Sequence, residues 1–135
     1  MLKVLIVEDH RPFREALRAS LQAHFPILML EQAAGVQEAL AKIESMKPDL
    51  IFTDMRLSDG NGLAFTRCVR AAGIDSAIVV LTSHDVPEYR EAAISSGANH
   101  FMTKGSTGIT DIFCIVGSIL ASHFGVPLCA EGATA

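Results

Sequence analysis

The chain has 135 residues, of which 50% are hydrophobic and 19% are charged. This length is typical of one domain, and the apolar content excludes a chain that is disordered throughout. The formal net charge of −4 at pH 7 argues against nucleic-acid binding by bulk electrostatics, because such binding requires a basic face.

Short apolar runs alternate with amphipathic segments along the chain. In chain order the pattern predicts strand 2–7, helix 12–24, strand 27–33, helix 34–46, strand 50–53, helix 63–72, strand 77–82, helix 87–96, strand 98–103 and helix 110–123. Strands that alternate with helices need crossover connections, which indicates a parallel sheet. We therefore expect the α/β class: an open, doubly wound, flavodoxin-like sheet of five strands in the order 2-1-3-4-5, with five helices.

Cysteine usage and hydropathy indicate the compartment. Cys68, Cys114 and Cys129 are widely spaced and odd in number, which favours a reducing cytoplasm over a disulfide framework. Residues 112–128 are apolar and nearly long enough to span a membrane. Polar residues and Pro127 interrupt this segment, so it is interpreted as a buried helix followed by a tail. We expect a cytoplasmic protein without a membrane segment, with one domain at residues 1–122 and a tail or linker start at 123–135.

Charged and hydroxyl side chains follow the predicted strands where ligands bind in such sheets, beyond the carboxyl ends of the strands. Glu8 and Asp9 follow the first strand, Asp54 the third, Thr82 ends the fourth, and Lys104 follows the fifth. Three carboxylates would repel one another unless a cation joined them, and an all-oxygen donor set favours Mg²⁺. Asp9 and Asp54 are the expected direct ligands, with Glu8 acting through water and a backbone carbonyl beyond Asp54 completing the shell.

These residue types suit phosphoryl transfer. Asp54 is central among the strand ends, which makes it the natural nucleophile for forming an acyl phosphate. Mg²⁺ and Lys104 would neutralise phosphoryl oxygens, and the Thr82 hydroxyl would donate a hydrogen bond to another.

Three alternative functions make different demands on the sequence. A phosphohydrolase with an aspartate nucleophile would want a second carboxylate two residues after Asp54, where Arg56 stands. A flavin or nucleotide binder would want a glycine-rich loop after the first strand, where Glu8 and Asp9 stand instead. The remaining alternative is a phosphorylation-independent protein-interaction module on the same fold.

Several segments together resemble the receiver domain of two-component response regulators, from residue 2 to about residue 122. They are residues 4–9, 48–54, 59–62, 81–83, 97–98 and 101–104. The segment at residues 9–17 is similar to the NarL/FixJ-type (LuxR-class) subfamily, whose members usually carry a C-terminal helix-turn-helix DNA-binding domain.

The resemblance implies roles for single residues. Asp54 would accept a phosphoryl group from a sensor histidine kinase. Glu8 and Asp9 would be the acidic pair that serves Mg²⁺, and the Arg56 backbone carbonyl would be a further metal ligand. The implied activity is self-phosphorylation and autodephosphorylation, without turnover of a metabolite.

The resemblance also implies a switch and a tuning pair. Thr82 would be the switch hydroxyl, Phe101 the switch aromatic, and Lys104 the phosphate-binding lysine. Arg56 and His84 stand two residues beyond Asp54 and Thr82, where they would influence the lifetime of the phosphoryl group; the alternative is that both are exposed polar loop residues.

The sequence departs from the family pattern at two positions. The family often has Pro four residues after the phospho-acceptor, where this chain has Ser58, and usually Pro after the lysine, where it has Gly105. We therefore expect the chain around Lys104 to be less rigid, although NarL/FixJ-type receivers tolerate a residue other than Pro there.

Two surfaces are candidates for partners. Arg11, Arg14 and Arg18 stand at helical spacing, where a solvated basic stripe is favoured over a kinase-docking surface. The last helix carries one apolar stripe suited to the sheet, at Ile112, Ile115, Val116 and Ile119. A second stripe, at Phe113, Leu120 and Phe124, is expected to meet a dimer mate or an output domain. We favour a chain excised from a longer regulator of transcription over a stand-alone receiver.

Overall fold

The computed structural model describes residues 2–83, 86–104 and 108–124. The elements in chain order are β1 (Lys3–Val7), α1 (Arg11–His24), β2 (Met29–Ala33), α2 (Val36–Met46), β3 (Leu50–Asp54), β4 (Arg56–Leu57), β5 (Gly60–Asn61), α3 (Gly62–Ala71), β6 (Ala77–Thr82), α4 (Pro87–Ser96), β7 (His100–Thr103) and α5 (Gly108–Phe124).

Five of these strands form one parallel sheet in the order β2-β1-β3-β6-β7. The strands β4 and β5 are not part of this sheet, so β6 and β7 are its fourth and fifth strands in chain order. The order is therefore the predicted 2-1-3-4-5, and the predicted fold is confirmed. The strands β4 and β5 form a two-residue antiparallel hairpin, with Arg56 opposite Asn61. The sequence pattern predicts no strands in this loop, because its turn-forming residues give no signal for so short a pairing.

The sheet is covered on both faces because its strands send successive side chains to opposite sides. On one face, Val4, Ile6, Phe52 and Val79 pack with residues of α1 and α5, among them Leu17 and Val116. On the other face, Leu5, Ile51, Ile78 and Val80 pack with residues of α2, α3 and α4, among them Ile43, Phe65 and Ala93. Each buried leucine or valine of these layers contributes roughly 1.5–3 kcal/mol. Both layers hold the carboxyl ends of the strands at one edge.

Element boundaries follow local chemistry. Pro87 opens α4 as predicted, because a proline in the first helical turn sacrifices no hydrogen bond. Asn61 caps α3, accepting a hydrogen bond from the Ala64 amide at 2.8 Å. The last strand was predicted to begin at Ala98 but begins at His100. Gly97, with φ of +112°, and the Ala98 amide close the end of α4 first.

The last helix meets the rest of the chain through both of its apolar stripes. Val116 is fully buried against the sheet. Phe113, which was assigned to the stripe expected to face a partner, instead stacks on His24 with ring centroids 4.0 Å apart and contacts Phe25 edge-on at 5.8 Å. The reason is that α1 and α5 lie side by side on one face of the sheet, so the end of α1 covers Phe113.

Three expectations fall partly outside the described residues. Of the predicted tail at residues 123–135, the first two residues belong to α5, and residues 125–135, with Cys129, lie outside the described residues. Cys68 and Cys114 are exposed free thiols. Within the described parts of the chain, no helix has both the length and the apolar character needed to cross a membrane.

Candidate functional site

Three carboxylates meet where β1 and β3 end. These strands are paired with Val7 opposite Thr53, so the next residues, Glu8 just beyond β1 and Asp54 at the end of β3, lie side by side. One oxygen each from Glu8, Asp9 and Asp54 lies within 4.8 Å of the others. Glu8 is buried, the Asp54 side chain is 13% exposed and Asp9 is exposed. The predicted acidic cluster is therefore assembled, with its most accessible carboxylate at the rim.

Lys104 reaches into this cluster from the end of β7. Its Nζ lies 2.7 Å from Glu8 Oε1 and 3.2 Å from Asp54 Oδ2. Its backbone amide donates a hydrogen bond to the Thr82 carbonyl at 2.7 Å, which ties the lysine backbone to the end of β6. The side chain is 14% exposed, so the ammonium neutralises carboxylate charge largely away from water.

The backbone around Glu8 is fixed by polar contacts. Glu8 Oε2 accepts a hydrogen bond from the His10 amide at 3.0 Å, and the Glu8 carbonyl accepts one from Arg14 Nη1 at 2.7 Å. Arg14 Nε also donates to Gln32 Oε1 at 3.1 Å. Arg14 therefore braces the turn after β1, whereas Arg11 makes an exposed ion pair with Glu15. Two arginines of the predicted stripe therefore differ: Arg14 is bonded to the turn beside the site, and Arg11 is on the exposed surface.

Burial sets the ionisation of Glu8. Removal from water raises the pKa of Glu8 to about 6, and the neighbouring Asp54 charge acts in the same direction. The hydrogen bonds from Lys104 and from the His10 amide oppose this rise, because they favour the charged carboxylate. A cation that joined the cluster would also favour the ionised form of Glu8.

Thr82 and Phe101 lie on the adjacent strands β6 and β7, two register positions apart, because Thr82 is paired with Thr103. Thr82 is buried at the end of β6, one residue beyond Leu81, which is the register partner of Asp54. Phe101 is 5% exposed, with the Arg90 guanidinium 5.0 Å from its ring centroid. Arg90 Nη1 also donates to the Phe101 carbonyl at 3.4 Å. Thr82 is thus at the same edge as the acidic cluster, and Phe101 lies inside the layer under α4.

The loop after Asp54 is tied to α2. Asp59 accepts hydrogen bonds from the Val36 amide at 2.7 Å and the Gln37 amide at 3.1 Å. These two bonds hold the pKa of Asp59 below its usual value. A residue outside α2 therefore caps that helix and anchors the loop carrying Arg56.

The carboxylate oxygens of the cluster suit the expected metal. Three carboxylate oxygens close together, from two strand ends, match a hard divalent cation that takes oxygen ligands and keeps several waters. Glu8, Asp9 and Asp54 are the residues that could hold it. The backbone carbonyl of Arg56, an exposed residue of the β4–β5 hairpin, remains a predicted additional ligand.

Sequence reasoning missed one neighbour of the site. Phe13 lies in the helix predicted over residues 12–24, where it shares an apolar face with Leu17 and Leu21, and its ring centroid lies 4.5 Å from Lys104 Nζ. Helical spacing reports only which face of α1 is apolar, so it contains no signal for a contact with a residue so distant in sequence. His84, predicted to tune dephosphorylation, lies outside the described residues.

The strand order and the acidic edge define a CheY-like α/β domain. Residues 4–111 match the response regulator receiver domain family. The chain belongs to this family and is the receiver domain of a two-component response regulator.

Relatives and solved structures agree with this assignment. The chain is 33% identical over 109 residues to the DNA-binding transcriptional activator DevR/DosR of Mycobacterium tuberculosis, an alignment that covers 81% of this chain and 50% of that protein. A two-component response regulator from Clostridium difficile superposes with a TM-score of 0.81 at 26% identity, covering 89% of this chain and 96% of that one.

A LuxR-family two-component response regulator from an Aurantimonas species has the same fold, with a TM-score of 0.79 at 24% identity, covering 88% and 85% of the two chains. Response regulators described as LuxR-family or NarL are thus among the structural neighbours, with which this chain shares the fold. The chain spans about half the length of the curated relatives it matches.

Proposed function

We propose that this receiver domain accepts a phosphoryl group on Asp54 from the phosphohistidine of a sensor histidine kinase. The observation that carries the proposal is the position of Asp54: it is the cluster carboxylate at the end of the central strand β3, within 3.2 Å of Lys104 Nζ and with part of its side chain open to solvent. A carboxylate oxygen of Asp54 bonds to phosphorus as the bond from phosphorus to the donor imidazole breaks. The product is an acyl phosphate.

The other residues neutralise charge around that reaction. Bound Mg²⁺, held by Glu8, Asp9 and Asp54 with the Arg56 carbonyl, would supply charge neutralisation for the phosphoryl oxygens. Lys104 pairs with a second phosphoryl oxygen, which requires its ammonium to move only within the cluster it already contacts. The Thr82 hydroxyl donates to another oxygen from the end of β6. Positioning and electrostatics suffice for phosphoryl transfer of this kind.

The same groups connect phosphorylation to a conformational switch. Movement of Thr82 toward the phosphoryl group changes the space beside Phe101 on the adjacent strand β7. Phe101 and its partner Arg90 link that space to α4, so the face formed by α4, β7 and α5 shifts between two populations. His84 and Arg56 set the rate at which water removes the phosphoryl group.

The output is proposed to be transcription control through a DNA-binding domain outside this chain. Support comes from DevR/DosR, which is named a DNA-binding transcriptional activator. The alignment with this chain covers half the length of DevR/DosR. A homodimer through the α5 region is the proposed assembly on activation, with exposed Ile109 on that helix.

Incubation with acetyl phosphate and Mg²⁺ tests the phospho-acceptor assignment. The intact mass of the wild-type protein should increase by one phosphoryl group, and EDTA should prevent the increase. Asp54→Ala should abolish it. Asp75→Ala is the matched control, because Asp75 is an exposed aspartate that precedes β6 at the opposite end of the sheet.

Two results would contradict the proposal. Phosphorylation of Asp54→Ala at the wild-type rate would place the acceptor elsewhere. A folded wild-type protein that no small phosphodonor and no histidine kinase modifies would support the phosphorylation-independent interaction module instead.

A further inference from the structure

The Lys104 ammonium is held from three sides. Glu8 Oε1 and Asp54 Oδ2 lie 2.7 and 3.2 Å away, and the Phe13 ring centroid lies 4.5 Å away. An ammonium has three N–H donors, and an aromatic face attracts such a cation through its quadrupole. Phe13 is half-buried in the first turn of α1, whereas Lys104 follows β7. This contact therefore joins α1 to the acidic cluster.

Apolar space lies beside the Lys104 side chain. Gly105, at which the sequence predicts a less rigid chain, lies outside the described residues. A cavity of about 140 Å³ between α1 and α5 is lined by Phe13, Leu17, Lys104 and Ile112, among others. Because this cavity borders the lysine, the side chain has apolar space beside it into which it can move.

From these contacts we infer that Phe13 is a positioning residue for Lys104: its ring holds the ammonium over the Glu8 and Asp54 carboxylates, so that it is already placed when a phosphoryl donor arrives. The inference rests on the proposed phosphoryl transfer at Asp54. A leucine at position 13 would fill similar apolar space but would not attract a cation, so the lysine would sample positions away from the cluster.

Kinetics of phosphorylation by acetyl phosphate with Mg²⁺ test the inference. Phe13→Leu should lower the rate roughly three- to tenfold, the range expected for one partly buried cation–π contact. Phe13→Tyr keeps the ring face and should restore the wild-type rate. In a Lys104→Ala background, Phe13→Leu should change the rate by less than about twofold, because the cation it positions is gone. Phe25→Leu is the matched control, since Phe25 is also half-buried but contacts Phe113 and His24.

A readout without phosphorylation separates this inference from the proposed function. In protein with ¹³C-labelled lysine, the Phe13 ring current should displace the Lys104 ε-methylene proton resonance, and Phe13→Leu should return it toward the value of exposed lysines. A displaced resonance in a protein that acetyl phosphate does not modify would overturn the phospho-acceptor assignment alone. An unchanged resonance and rate in Phe13→Leu, or an equal loss in the Lys104→Ala background, would overturn the positioning role.

Discussion

Lys104 Nζ lies 2.7 Å from Glu8 Oε1, an ion pair between the end of the first strand and the end of the last. The carboxylate is buried, and breaking such a pair leaves an uncompensated charge away from water. The ammonium also stands beside Asp54, at 3.2 Å. One side chain thus neutralises part of an acidic cluster whose other proposed counterion is a divalent cation.

Removal of this ammonium should strengthen metal binding. Lys104→Met takes away a positive charge that repels a second cation in the same cluster, so we expect Mg²⁺ to bind roughly three- to tenfold more tightly. Phosphorylation by acetyl phosphate should nevertheless slow, because a group that pairs with the phosphoryl oxygens is lost. Isothermal titration calorimetry measures the affinity. Lys42→Met is the control, since Lys42 pairs with Glu31 and Glu38 on the surface, and equal affinities of wild type and Lys104→Met would refute the expectation.

Glu8 should make the metal-free protein less stable as pH rises. Its pKa is 4.5 when unfolded and about 6 when folded, so the unfolded chain releases this proton first. The unfolding free energy begins to fall near pH 4.5 and stops falling just above pH 6. The fall amounts to ~2 kcal/mol, because the two pKa values differ by about 1.5 and each unit corresponds to 1.36 kcal/mol. Urea unfolding in EDTA at several pH values, compared between wild type and Glu8→Gln, measures it. A difference between the two proteins that does not vary from pH 4.5 to 6.5 would contradict this linkage.

Gly62 should tolerate no side chain. A Cβ there would lie 2.1 Å from the Asp54 carbonyl oxygen, so Gly62→Ala must displace the backbone that carries Asp54. We expect a loss of roughly 1–3 kcal/mol in unfolding free energy and slower phosphorylation.

The control for this substitution is Gly73→Ala. Nothing lies within 4 Å of a Cβ at Gly73, but its φ of +80° makes alanine cost about 1–2 kcal/mol. The two variants should therefore lose comparable stability, measured by urea unfolding, and only Gly62→Ala should be slow to accept a phosphoryl group. Equal phosphorylation rates in the two variants would show that a side chain at position 62 does not disturb Asp54.

Asp59 should stabilise the start of α2. Asp59→Ala removes the acceptors of the Val36 and Gln37 amides, so these amides should exchange hydrogen faster and the thermal midpoint should fall at neutral pH. Since the pKa of Asp59 is lowered in the folded protein, its stabilising effect is present above its unfolded pKa of 3.8 and disappears as pH falls through the folded value. Asp75→Ala serves as the control. Unchanged exchange at Val36 and Gln37 would mean that the cap does not protect them in solution.

The bounds of the strand Ala77–Thr82 and of the helix Pro87–Ser96 could be predicted from local pattern alone. The strand is a continuous apolar run, and the helix begins at proline and ends before glycine, so each signal lies within the element. The hairpin at Arg56–Leu57 and Gly60–Asn61 could not be predicted, because two-residue strands contain no periodicity. The cap on α2 was missed because Asp59 lies far beyond that helix in the sequence.

The sequence by itself determined the alternation of strands and helices, and with it the parallel sheet whose carboxyl ends gather Glu8, Asp9, Asp54, Thr82 and Lys104 at one edge. Hydrophobic periodicity is a property of short segments, and crossover connections between parallel strands are almost always right-handed. Both can therefore be inferred without coordinates. Only the tertiary structure decided that Phe13 faces the Lys104 ammonium and that His24 covers Phe113. Such contacts depend on how two helices lie side by side on the sheet, which no local spacing specifies.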